Sequence, residues 1–223
     1  MTVPKMKIGV VGAGSWGTAL ADLLARKGYA IDLWVYEPEV IAQIAQEREN
    51  QLFLPGFSLS ERLRPSGDLS GVVGGKDLVL VVVPSHVMRN VTGQFVGQIR
   101  DRTILVSASK GIENRSHLTM SGVMMDVIPA LTDDRVAVLS GPSFAKEVAG
   151  KVPTAVSVAA KNMKTAEQVQ NVFSTTAFRV YTNDDVVGVE LGGAVKNVIA
   201  IAAGVLDGLG LGLNTRAALI TRG

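Results

Sequence analysis

Three features of the sequence predict an α/β fold on a doubly wound, mainly parallel sheet. Short β-branched runs, Lys7 to Val11, Leu78 to Val83 and Thr103 to Ser107, lack polar alternation, the mark of strands covered on both faces. The first run ends in a glycine turn, Gly12-x-Gly14-x-x-Gly17, that opens a helix. Strand-like and helix-like stretches then follow one another, as in a sheet built from crossover units. At 223 residues the chain has room for one sizeable domain and a fraction of a second.

The elements are taken in order. The first helix is expected from Ser15 to Arg26, ending where Gly28 can take the left-handed capping conformation. In a Rossmann-type turn Gly12 permits the tight bend, Gly14 clears space for a pyrophosphate, and Gly17 lets helix and sheet approach closely. Free amides at the helix start hold the anion. Ile31 to Tyr36 supplies the second strand, and Glu37 lies twenty residues after Gly17, where an acid accepts hydrogen bonds from the ribose of NAD. The same charge repels a 2′-phosphate and neither Tyr36 nor Glu37 is an arginine, so NAD is expected over NADP. The alternative is a Glu37 turned outward to solvent.

Leu78 to Val83 forms a further buried strand, and a helix capped by Ser85 is expected from Pro84-Ser85 to about Ile99. Ligands gather beyond the carboxyl ends of such strands, which makes Pro84, Ser85, Ser109, Lys110 and Gly111 candidates for a pocket wall. Lys110 is either a substrate contact or an ordinary surface charge. Val136 to Leu139 is a strand entering Ser140-Gly141-Pro142-Ser143, followed by a short helix with Lys146 and Glu147. Amides and hydroxyls of that turn suit a phosphate or carbonyl; otherwise Pro142 and Ser143 merely start and cap the helix. Val152 to Ala159, a helix near Met163 to Phe173 and a strand from Phe178 to Tyr181 complete the sheet. Asn183 and Asp184 mark the boundary of two domains, 1–183 and 184–223.

Past the boundary, with Asp184 as its cap, comes a long, nearly uncharged helix through Leu206. It is hydrophobic around most of its circumference and is expected to be the buried central helix of a helical region. Gly192, Gly193, Lys196, Ala200, Ala203 and Asp207 share one flank of it. A lysine held in apolar surroundings has its pKa lowered and suits acid–base work on an oxygen. The competing account is a stem crossing apolar surface with its amine in water.

The formal charge of +2, without a dense basic run, disfavours a nucleic-acid surface and leaves room for a small anionic ligand. The absence of cysteine excludes disulfides, thiol nucleophiles and Cys-ligated metal, and His86 and His117 occur singly, so no metal site is expected. The opening residues lack an export signal, the longest apolar run, Leu78 to Val83, is strand-sized, and Lys196 and Asn197 break the Ala194 to Leu206 stretch, so a cytoplasmic protein without a membrane span is expected.

The segments GAGSWGTALA, NQLFLPG, VVVPSHV, SASKGIE, LSGPSFAKE, VELGGAVKNVIAIAAG and NTRAALITRG, in this order, resemble bacterial glycerol-3-phosphate dehydrogenase across essentially the whole chain. The resemblance implies reversible reduction of dihydroxyacetone phosphate to sn-glycerol 3-phosphate by NADH or NADPH. The implied fold is a Rossmann domain joined to an all-helical, 6-phosphogluconate dehydrogenase-like domain, and the implied assembly is a homodimer. It also implies that Lys196 is the catalytic acid–base and that Lys110 contacts substrate and cofactor. Gly141 and Ser143 match substrate contacts, while Ser15, Trp16, Tyr36 and Ala145 match positions that touch the dinucleotide. Asn197 is a candidate by adjacency. The family's phosphate-clamping arginine would lie beyond residue 223, and Asn214 to Thr221 begins a helix without its partners, so the chain is expected to be truncated, to leave the central helix without much of its cover, to bind NAD but reduce the ketone poorly, and to self-associate. Two alternatives are a related NAD-dependent 2-hydroxyacid dehydrogenase and a non-catalytic NAD-binding module.

Overall fold

A computed structural model describes residues 6–222. The opening residues read above for an export signal, 1–5, and Gly223 lie outside them. The elements are β1 (Ile8–Val11), α1 (Ser15–Arg26), β2 (Ile31–Trp34), α2 (Pro38–Glu47), β3 (Leu63–Ser66), α3 (Leu69–Val73), β4 (Leu78–Val81) and α4 (Met88–Gly93). They continue with β5 (Ile104–Ser107), α5 (Met120–Val127), β6 (Val136–Ser140), α6 (Ala145–Ala149), β7 (Thr154–Ala159), α7 (Met163–Phe173), β8 (Phe178–Asn183), α8 (Val186–Gly208) and α9 (Leu213–Arg222).

The eight strands form one sheet in the order β3-β2-β1-β4-β5-β6-β7-β8. Every pairing is parallel except β6 with β7. The order reverses between β2 and β4 on either side of β1, which opens a crevice at the carboxyl ends of β1 and β4. Residues of β1, β4, β5 and β6 are buried throughout, as their unbroken apolar runs require. One face packs on α1, α2, α6 and α7 through Leu20, Leu24, Ile44, Val148, Val169 and Phe173. The other packs on α3, α4 and α5 through Val72, Met88, Val91, Met120 and Met124.

Several expectations are corrected. The helix expected from Ser85 to Ile99 is a short 3-10 turn, Ser85–Val87, and then α4, which stops at Gly93. Gly97, at φ 82°, takes the left-handed backbone that a continuous helix forbids. Ser85 therefore caps no long helix. Ser143 does not cap α6 either: the N-cap is Phe144, and the Ser143 hydroxyl turns back to the Gly141 carbonyl at 3.3 Å. The cap of α8 is Asp185, whose Oδ1 accepts from the Gly188 amide at 2.8 Å, and not Asp184.

The helix α8 lacks much of its cover, as expected of it in this chain. Of its 23 residues only Val186 and Glu190 are buried. It packs on β6, β7 and α9, and Val198, Ile201 and Val205 remain exposed. Its central turns are uncovered because no other described element reaches them. By length and a mean hydropathy of 1.6 it could cross a membrane, yet its buried anchors are set in protein, which fits a helix of a soluble fold.

Candidate active site

The sheet collects the candidate residues along one edge, at the carboxyl ends of β1, β2, β4, β5 and β6. At the first of these, Gly12 has φ 112°, and a Cβ there would run into the Val82 carbonyl oxygen. A Cβ at Gly17 would strike the Gly12 carbonyl, so this glycine is what lets α1 leave the strand so tightly. A Cβ on Gly14 would meet nothing within 4 Å, so the turn leaves open space beside the free amides of α1. That space is a cradle a side chain would fill, and it fits a dinucleotide pyrophosphate.

The loop after α2 is fastened to this turn. Asn50, fully buried, donates from Nδ2 to the Ala13 carbonyl and to Thr18 Oγ1, both at 2.9 Å, and accepts from the Phe53 amide at 3.0 Å. Ser15 Oγ donates to the Phe53 carbonyl at 2.5 Å. Trp16 packs on Phe178 with ring centroids 6.4 Å apart, and its buried Nε1 has no hydrogen-bond partner among the described residues. Ala145 opens α6, which lies against α1.

At the end of β2, Tyr36 is exposed and meets Trp34 edge-on at 6.1 Å. Glu37 is the N-cap residue of α2 but makes no side-chain cap bond, which leaves its carboxylate free for other partners. Pro84 is exposed at the end of β4. Tyr36 and Glu37 sit apart from the lysines at the end of β2, whereas Pro84 ends β4 beside β5, where Ser85 lies against Gly111 and Ser109 is bonded to Val83.

Lys110, after β5, reaches across to β6, its Nζ donating to the Gly141 carbonyl at 3.2 Å. Gly141, Ser140 and Pro142 line a cleft of about 350 Å³ with Gly188, Gly192, Gly193 and Lys196 of α8. Lys196 and Lys110 thus face the same turn. A Cβ on Gly193 would collide with Ser140 Oγ and lie 3.7 Å from Lys110 Cγ, so the glycine flank of α8 is what admits the helix here. Burial lowers the pKa of Lys110 below the ordinary lysine value, and the charge of Lys196 lowers it further.

This corrects the expectation for Lys196. It is exposed, with Nζ donating to Asn197 Oδ1 at 2.8 Å, because α8 leaves the sheet domain after its first two turns. The amine on which burial acts is Lys110. The sequence reading named the Ser140 turn but missed Asn50 and Glu190. Asn50 stood inside a motif, but nothing in its local pattern shows that its amide reaches back to Ala13.

The fold and the cleft together define a dinucleotide-binding Rossmann protein in which a helix from a second region brings a lysine to the carboxyl edge of the sheet. The description "NAD-dependent glycerol-3-phosphate dehydrogenase N-terminus" matches residues 7–166, and its C-terminus counterpart matches residues 185–223. The chain belongs to this family. It is 54% identical over 220 residues to "Glycerol-3-phosphate dehydrogenase [NAD(P)+]" of Syntrophobacter fumaroxidans, covering 99% of this chain and 65% of the relative. The protein of the same name from Citrifermentans bemidjiense is 55% identical, with coverage of 97% and 65%. The crystal structure of glycerol-3-phosphate dehydrogenase from Coxiella burnetii superposes with a TM-score of 0.87 at 42% identity, covering 98% of this chain and 66% of that one. The chain therefore spans about 65% of the length of the curated relatives it matches.

Proposed function

We propose that the whole protein reversibly reduces dihydroxyacetone phosphate to sn-glycerol 3-phosphate with NADH or NADPH, in keeping with relatives named glycerol-3-phosphate dehydrogenase [NAD(P)+]. The observation that carries this reading is the convergence of Lys110 and Lys196 on the Ser140–Pro142 turn, on the same sheet edge as the glycine cradle. Residues 1–183 serve as the dinucleotide domain and 184–223 as the first part of a helical substrate domain.

NAD(P)H, when bound, supplies the hydride that reduces the ketone carbon. The chain's own residues do the rest. Gly12, Gly14 and Gly17, with the amides of Ser15 and Trp16, hold the pyrophosphate. Tyr36 and Glu37 meet the adenosine side, and Glu37 favours NAD by accepting from the ribose hydroxyls and repelling a 2′-phosphate. Pro84 and Ala145 wall the cofactor groove. Lys110, Gly141, Ser143 and Asn197 hold and orient the anionic ketone. Lys196 stabilises negative charge growing on the ketone oxygen and donates the proton; in the reverse direction its neutral amine takes the hydroxyl proton. The protein acts in the cytoplasm as a homodimer.

The test is NADH and NADPH oxidation with dihydroxyacetone phosphate by the whole protein and by residues 1–223. Lys196→Ala is expected to lower kcat of the whole protein roughly 10²–10⁴-fold with NADH affinity little changed. Near-normal turnover by that variant, or none by the parent, refutes the reading.

A further inference from the structure

We propose that Glu190 is the positioning residue of the lysine site: its buried carboxylate, bound to Ser121 at the start of α5, fixes the rotation of α8 that lays Lys196 beside Lys110. Glu190 is 5% exposed, a costly place for a carboxylate unless its oxygens are satisfied. They are: Oε1 accepts from the Ser121 amide at 2.8 Å and Oε2 from the Ser121 hydroxyl at 2.5 Å. The N-cap of α5, Thr119, makes no side-chain cap bond, so a residue 69 positions after Ser121 supplies the first-turn acceptor. The bond is charge-assisted and lies at the positive end of a helix dipole.

The geometry makes this anchor decisive for the cleft. Val186 and Glu190 are the only buried residues of α8, so little else fixes its rotation. Val189, Gly192, Gly193 and Lys196 line the cleft, and at about 100° per residue that flank is roughly a third of a turn around the helix from Glu190. Pinning Glu190 to α5 aims the glycine flank at Ser140 and Lys196 at the Gly141 turn. It also holds the α8 backbone over Lys110, since a Cβ on Gly193 would lie 3.7 Å from Lys110 Cγ. The functional weight of the proposal rests on the lysines being the reactive pair, but the placement itself is measurable without turnover.

The test is an NMR titration of the Lys110 side chain in the full chain, with its signal assigned through Lys110→Arg. In the parent, burial and the Lys196 charge lower the Lys110 pKa, and α8 contributes to both. Removing a nearby carboxylate without moving the helix would push that pKa down; loss of position pushes it up. Glu190→Ala is therefore expected to raise it toward the ordinary lysine value, at least as far as Lys196→Ala does. Ser121→Ala, which keeps the amide donor, is expected to raise it less. Glu190→Gln, which keeps the volume and one acceptor, should raise it by an intermediate amount and serves if the alanine variant does not fold. An unchanged or lowered Lys110 pKa in a folded Glu190 variant overturns the proposal, as does a Lys196→Ala variant that leaves Lys110 unmoved. If these shifts appear and the whole protein still fails to reduce dihydroxyacetone phosphate, the positioning stands and the proposed reaction falls.

Discussion

Asn50→Ala tests whether the loop after α2 is part of the cofactor turn. The side chain is fully buried and makes three hydrogen bonds, two to the glycine turn and first helix and one to Phe53. At about 1 kcal/mol net for each, the substitution removes about 3 kcal/mol. The Ala13 carbonyl keeps a second donor, Thr18 Oγ1 at 3.0 Å, and the Phe53 amide is only partly buried, so both groups find partners and the cost settles near 2–3 kcal/mol. For a protein of this size that is a fall in Tm of about 5–10 °C. NADH affinity, read by fluorescence, should fall as well, because Ser15 is tied to the same loop through the Phe53 carbonyl. Asn50→Asp should be no better than alanine, since a carboxylate would face the Ala13 carbonyl oxygen without a donor to offer it. A Tm within about 2 °C of the parent and unchanged NADH binding would refute the fastening.

Further outcomes follow from other contacts. Gly193→Ala places a Cβ against Ser140 and should cost about 1–3 kcal/mol, whereas Gly192→Ala, with nothing within 4 Å, should be neutral or stabilising; equal melting shifts would contradict the close approach of α8. The Arg89 guanidinium, helped by the Ser116 hydroxyl, holds Glu113 down to about 2 from 4.5. Its stabilisation is thus complete above the unfolded value of 4.5 and lost as pH falls through about 2. Melting curves against pH should show Glu113→Gln with a flatter acid limb over that window, and parallel profiles would remove Glu113 from the account. The uncovered apolar turns of α8, among them Val198, Ile201 and Val205, should make residues 1–223 associate as concentration rises; a constant monomer mass by sedimentation would count against this.

The nucleotide half was legible where local pattern and tertiary need coincide. Ser15–Arg26 and Met163–Phe173 have the expected bounds because an apolar stripe and clear terminators fix them. The break after α4 was hidden because Met88, Val91 and Phe95 keep helical spacing, although Phe95 is reached through a turn and not a helix. Asp184 and Asp185 look alike in sequence, and only the reach to the Gly188 amide separates them. For α8, hydrophobicity all round marked a helix built for burial, and its missing cover was legible from the helix begun at Asn214 without partners. The glycine turn announced its site in a few residues. The Asn50 and Glu190 contacts span 37 and 69 positions and carry no periodic signal.

The displacement of burial from Lys196 to Lys110 changes the electrostatic argument without weakening it. Two ammonium groups share one turn, the charge of Lys196 acting on Lys110, and among the described residues neither has a carboxylate within salt-bridge distance. Like charges so placed repel, and the fold tolerates them without a counter-ion of its own. An anion entering the cleft supplies what the protein omits: a negative charge that relieves the repulsion. Under the proposed function, the anion that plays this part is the phosphorylated ketone. In the proposed reaction an anionic substrate meets both lysines at the Gly141 turn, and Glu190, buried earlier on α8 than Lys196, holds the helix that carries one of them.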